Sequence, residues 1–285
     1  RIEDPVGRAC MHTTSVWALI LIGSLSPAAA YLTPNQPAAG ALFRGRALSS
    51  CERLRGGAAV ARRQAGAPAR LAARMALGEM YPEMCVFDLD ACLWDKEMFE
   101  MSHVPTETVS GDLNGRGAGV VGAMSGRAKI SLHKGALIAL QEVHDGKYPG
   151  MKIAAASSAD TPFAVKVGRQ TLKMLEVVPG VTVWDLLLRE NRGKDVNQIG
   201  RSPPLSSDKS KTHFPILREA TGVPYDRQLF FDDCNWGDHC GKVERACTEN
   251  GQGVVTVRTP NGLREEDWRE GLRKYALSRT QAVVR

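Results

Sequence analysis

Three short apolar runs that each stop at a polar residue constrain this chain more than any other feature. Met84 to Phe87 ends at Asp88, Lys152 to Ala156 at Ser157, and Gln228 to Phe231 at Asp232. Runs of this length are expected of strands covered on both faces, as in a parallel sheet. Between them apolar residues recur at helical spacing: Leu137, Leu140 and Val143; then Phe163, Val167, Leu172 and Leu175; later Ile216, Leu217 and Ala220. Strand alternating with helix predicts an α/β fold. Ligands bind such sheets outside the carboxyl ends of the strands, so the three terminal polar groups are expected to share one crevice.

The expected architecture is a three-layer, Rossmann-like sandwich with a central, mostly parallel sheet and no large cap domain. Two stretches break its rhythm. Asp95 to Lys129 carries five glycines between Gly111 and Gly122 and reads as a flap or hairpin after the first strand. Leu186 to Asp208, with Pro203-Pro204 and mixed charges, reads as a surface insertion.

The net charge of +6 is unevenly placed. Residues 1–80 hold ten Arg, no Lys and four acids, which leaves 27 basic and 27 acidic residues from Tyr81 onward. A neutral domain gives no support to nucleic-acid binding, which needs clustered Lys and Arg on one face. Residues 1–80 read as a targeting presequence and 81–285 as the domain. With Met11 as the expected start, Val16 to Leu25 is an apolar stretch too short to span a bilayer. It is followed by Pro27-Ala28-Ala29-Ala30, a small-residue cleavage signal. Tyr31 to Met75 is then rich in Ala, Gly and Arg, with Glu52 its only acid. A signal followed by a transit-like region resembles the bipartite presequences of plastids bounded by extra membranes; a mitochondrial or secreted destination is the alternative. No membrane is expected to hold the mature form.

Cysteines at 85, 92, 234, 240 and 247 form no CxxC pair, so neither structural zinc nor a disulfide scaffold is indicated. Trp184, Trp236 and Trp268 are expected to be packing residues, and His213 to pack or support rather than bind metal.

Asp88 and Asp90, two apart at a strand end, point to one side, where their mutual repulsion calls for a cation or a proton. The pair Asp232-Asp233 supplies further oxygens of the kind a hard divalent metal takes, and Mg2+ prefers few carboxylates plus water and substrate phosphate. Such acid pairs also occur in turns and caps, so the pattern gains force from its company. Val86-Phe87-Asp88-Leu89-Asp90, Ala154-Ala155-Ala156-Ser157, Lys209 and Lys211 heading a helix, and Phe230-Phe231-Asp232-Asp233 resemble, in order, the four motifs of the haloacid dehalogenase superfamily. With Leu93-Trp94, Lys211-Thr212-His213-Phe214 and Thr221-Gly222-Val223-Pro224, the chain resembles the superfamily's small magnesium-dependent phosphatases over roughly residues 81–275.

The resemblance implies a phosphatase in which Asp88 becomes an aspartyl phosphate and Asp90 acts as acid and then base. It implies Mg2+ held by Asp88, the Asp90 carbonyl and Asp233, with Asp232 holding the loop or a coordinated water. Leu89, Asp90, Ser157, Ser158 and a lysine would bind the phosphoryl group, and Trp94 would wall the substrate pocket. The usual spacing lands on Ser210, so Lys209 and Lys211 both remain candidates. Ser158 stands where the family often has Arg, which leaves Arg169 or the flap to supply a clamp. Cys92 and Cys234 flank the expected metal loops, and a disulfide between them would distort the site. The substrate would be a small phosphorylated metabolite or a phosphoprotein. The alternatives are an inactive regulatory module of the same fold or another phosphotransferase of the superfamily.

Overall fold

The structure is a computed structural model that describes residues 80–283. The expected presequence lies outside the described residues but for its last position. The chain opens with β1 (Met84–Phe87), every residue of which is buried. Then β2 (Glu107–Asp112), β3 (Ala118–Ser125) and β4 (Ala128–Ile130) form a three-stranded antiparallel sheet, the flap expected after the first strand. Its tip turns at Asn114 and Gly115, both at positive φ, where the Asp112 carboxylate accepts the Gly115 N–H at 2.6 Å.

Next come α1 (Lys134–His144), β5 (Lys152–Ser157), α2 (Pro162–Met174), the β6 (Glu176–Val178) and β7 (Val181–Thr182) hairpin, and α3 (Val183–Glu190). Thr161 caps α2 ahead of Pro162, and Thr182 with Asp185 forms a reciprocal capping box on α3. After β8 (Gln198–Ile199) and α4 (His213–Thr221), β9 (Gln228–Asp232) leads to α5 (His239–Ala246). The small β10 (Thr248–Glu249) and β11 (Gln252–Gly253) hairpin, β12 (Val255–Arg258) and α6 (Glu265–Val283) complete the chain.

The central sheet has the order β12-β9-β1-β5-β8 and is parallel throughout. Alternate residues of its strands enter two separate cores. Cys85, Phe87, Ile153, Ala155, Leu229 and Phe231 pack with α1, α2, α3 and α6 on one face. Met84, Val86, Ala154, Ala156 and Phe230 pack with Phe214 and Leu217 of α4 and Val243 of α5 on the other. The expected three-layer sandwich is therefore formed. Two expected helix contacts differ, because Phe163 lies in the first exposed turn of α2 and Ala220 faces solvent, leaving Phe214 and Leu217 to cover the sheet.

Leu186 to Asp208 is not the surface insertion its charges suggest. Leu186, Leu187, Val196 and Ile199 are buried, and β8 pairs with β5 through Ser157 and Ile199. The polar residues in this stretch complete the sheet edge: Asn197 Oδ1 accepts the Ala155 N–H at 2.8 Å and Asn191 Nδ2 donates to the Ile153 carbonyl at 2.7 Å. Among the described residues no helix is long and apolar enough to cross a membrane.

Candidate active site

Register decides what meets at the sheet's carboxyl edge. Phe87 pairs with both Ala155 and Phe231, which sets Asp88 level with Asp232 and one residue short of Ser157. The Asp88 N–H donates to the Phe231 carbonyl at 2.9 Å, extending the ladder one step. The chain then turns sharply through Ala91 at φ 51°, and the Leu89 carbonyl accepts N–H groups from Cys92, Leu93 and Trp94. Leu89 is fully buried and packs into the core.

Lys209 is 2% exposed, and its Nζ sits between Asp88 Oδ1 at 2.7 Å and Asp232 Oδ2 at 2.6 Å. Burial opposes its charge, but the two carboxylates outweigh that and hold it above its ordinary pKa. Of the two lysines beside Ser210, Lys209 is the one whose ammonium reaches the carboxylates. Lys211 lies away from these groups: its side chain is 78% exposed, with Asp208 Oδ2 at 3.6 Å. Position 209 precedes α4 and points inward past Phe230, whereas 211 projects outward from the same turn.

Asp88, Asp232 and Asp233 place one carboxylate oxygen each within 4.8 Å of one another, and all three are buried. Burial raises the Asp88 pKa, with Lys209 opposing and Asp232 and Asp233 adding to the rise. Both oxygens of Asp232 are engaged, Oδ2 by Lys209 and Oδ1 by the Cys234 N–H at 2.8 Å, so this residue holds the loop. Asp233 Oδ2 accepts the Asn235 N–H at 2.9 Å. The Asp90 carboxylate stands outside the cluster. Its oxygens accept from Met98 N–H and Trp94 Nε1, both at 3.1 Å, which leaves its backbone carbonyl for any metal. Burial pushes the Asp90 carboxyl up to about 7 against the Met98 hydrogen bond, with Glu97 adding to the rise.

The crevice over these groups has a volume of about 490 Å³. Ser157 and Ser158 line it; Ser157 is 2% exposed, and Ser158 Oγ lies 3.5 Å from the Ser207 carbonyl. His213, expected as support, is fully buried. Its Nε2 is shared between the Ser157 and Gly200 carbonyls, each at 3.1 Å, which assigns the proton to that nitrogen. Burial lowers its pKa to about 4.

Three expectations are corrected. Trp94 does not wall the pocket: it is fully buried, and its indole N–H orients Asp90 from behind. Trp236, expected to pack, is 74% exposed on the rim, edge-on to Phe99 at 5.9 Å, with Nε1 donating to Glu97 Oε1 at 3.2 Å. Trp268 is buried as expected, and Trp184 packs against the core beneath Arg169 and Lys173. Arg169 is tied to Asp195 at 2.8 Å; the arginine that lines the crevice is Arg201, 3.4 Å from Asp160. Cys92 and Cys234 are both free. The Cys92 thiol receives Thr259 Oγ1 at 3.3 Å, while Cys234 Sγ accepts the Cys240 N–H at 3.4 Å.

Glu97, Phe99, His239 and Lys242 line the same crevice and belong to none of the sequence motifs. One signal was available. Trp236 lies between Asn235 and Gly237 in a polar turn, with no apolar periodicity to bury it.

A model of the acid phosphatase family matches residues 80–278. Among solved structures, the chain is similar to the N-terminal part of the protein BF1531 from Bacteroides fragilis, containing a phosphatase domain complexed with Mg. The two share 15% identity at a TM-score of 0.40, over 71% of this chain and 41% of that one. It is also similar to CbbY from Rhodobacter sphaeroides in complex with phosphate, at 13% identity and a TM-score of 0.34, over 65% of this chain and 90% of that one. No curated protein sequence matches it significantly. The family model covers the whole of the sheet and every residue of the crevice described above, and by it the chain belongs to the acid phosphatase family.

Proposed function

We propose that this phosphatase hydrolyses phosphate monoesters with Mg2+ by way of an aspartyl phosphate on Asp88. The observation that carries the reading is the Lys209 ammonium locked between Asp88 and Asp232 beside Asp233. One lysine against three clustered carboxylates leaves an excess of negative charge in a buried crevice, made of the hard oxygen donors that magnesium takes. Asp88, Asp233 and the Asp90 carbonyl would hold the ion, which supplies charge neutralisation for the phosphoryl oxygens when bound.

An Asp88 oxygen attacks phosphorus while the Asp90 carboxyl, held by Met98 N–H and Trp94, gives its proton to the leaving oxygen. Asp90 then takes a proton from the water that cleaves the acyl phosphate. Ser157 and Lys209 orient the transferring group; positioning and electrostatics supply most of the rate in such transfers. Trp236 and Phe99 on the rim favour an aromatic leaving group, as on a phosphotyrosine side chain, over a sugar phosphate.

Hydrolysis of para-nitrophenyl phosphate and of glucose 6-phosphate, with Mg2+ or with EDTA, tests the reading. We expect the aryl ester to be preferred, EDTA to abolish turnover, and Asp88→Asn to lower kcat by at least about a thousandfold. Trp236→Ala should raise KM for the aryl ester alone. Full activity in Asp88→Asn, or in EDTA, would overturn the mechanism.

A further inference from the structure

Cys234 directly follows Asp233 and adopts φ 58°, a left-handed conformation uncommon for a side chain other than Gly, Asn or Asp. That turn folds residues 234 to 240 back on themselves. The Cys240 N–H donates to Cys234 Sγ at 3.4 Å, which sets the two residues side by side. Cys240 Sγ also lies 3.5 Å from the Val257 carbonyl and 4.0 Å from that of Asp232. Both thiols are buried, but the segment between them contributes Trp236 and His239 to the crevice wall, so a small oxidant entering the crevice arrives one turn away.

We propose that Cys234 and Cys240 are a covalent modification site that closes to a disulfide with hydrogen peroxide. Cys234 sulfur attacks the peroxide O–O bond, giving a sulfenic acid and releasing one water. Cys240 sulfur then attacks the sulfenic sulfur and releases a second water. Two S–H bonds are broken and one S–S bond forms; two electrons and two protons pass to the peroxide, which is reduced to water. Cys92, the partner expected from sequence, instead accepts a hydrogen bond from Thr259 Oγ1.

The bond would draw Cys234 off the Cys240 N–H and shift the loop that positions Asp233 and Trp236. Groups that orient a metal ligand commonly change metal affinity by tenfold or more, so the oxidised protein should need on the order of tenfold more Mg2+ for half-maximal turnover. This activity arm rests on the phosphatase reading; the chemical arm does not.

The test treats the whole chain with hydrogen peroxide, blocks remaining thiols by alkylation, digests with trypsin and weighs the peptide from Gln228 to Lys242, which holds both cysteines. The expected product is unalkylated, lighter by two hydrogens, and restored by dithiothreitol together with the original Mg2+ requirement. Cys240→Ser should keep its activity in peroxide over the same interval. A peptide with both thiols alkylated, or one cross-linked to the Cys92 peptide, overturns the proposal whatever the enzyme's activity.

Discussion

Lys209 is held where side chains of its type seldom go, and the reason is local charge. Two buried carboxylates at 2.6 and 2.7 Å make its ammonium necessary, and removing one member of such a group costs about 3–5 kcal/mol. Lys209→Met should therefore lower the stability of the metal-free protein by about that amount in urea denaturation and also abolish turnover. Lys211→Ala, two positions on, should leave stability within about 0.5 kcal/mol and activity unchanged. Sequence could not separate these two lysines, because the choice depends on which side of one turn faces the sheet. Asp88, Asp232 and Ser157 were legible, since each ends a buried strand. Trp94 and Trp236 were exchanged in role because both belong to loops, where no period reports burial.

At the scale of elements, the interior strands announced themselves as apolar runs and the edge did not. β8 is two residues long, and its work is shared with Asn191 and Asn197, whose amides satisfy backbone groups of β5. A polar residue bonded to backbone looks in sequence like a solvated one, and so the segment read as an insertion. Asn197→Leu would leave the Ala155 N–H without its partner. An unsatisfied buried group costs about 1–3 kcal/mol, and we expect a loss of that size in the denaturation midpoint, with the five-stranded sheet intact by circular dichroism.

At the scale of the whole molecule, His213, the first residue of α4, ties that helix to the end of β5 and to the Gly200 turn. Its pKa of about 4 lies below the ordinary 6.5, so the unfolded chain binds the proton more readily than the folded one. Stability should be full above about pH 6.5 and fall as pH drops toward 4, by up to about 3 kcal/mol. Thermal melts across that range check this, and His213→Gln should flatten the dependence. A melting curve of the parent flat between pH 6.5 and 4 would contradict the assignment. The layered architecture was readable from alternation alone, while this link was not, because a histidine at a helix start carries no mark of the carbonyls it will meet.

The central place of β1 sets the order in which the molecule is made. Met84 pairs with Lys152 on one side and with Gln228 on the other, so the strand bearing Asp88 finds its second neighbour only after most of the chain exists. Contacts so far apart in sequence form late. On the ribosome, β1 therefore emerges long before the strand that brings Asp232 and Asp233, and the nascent chain cannot assemble the acidic cluster until residue 233 is free of the exit tunnel.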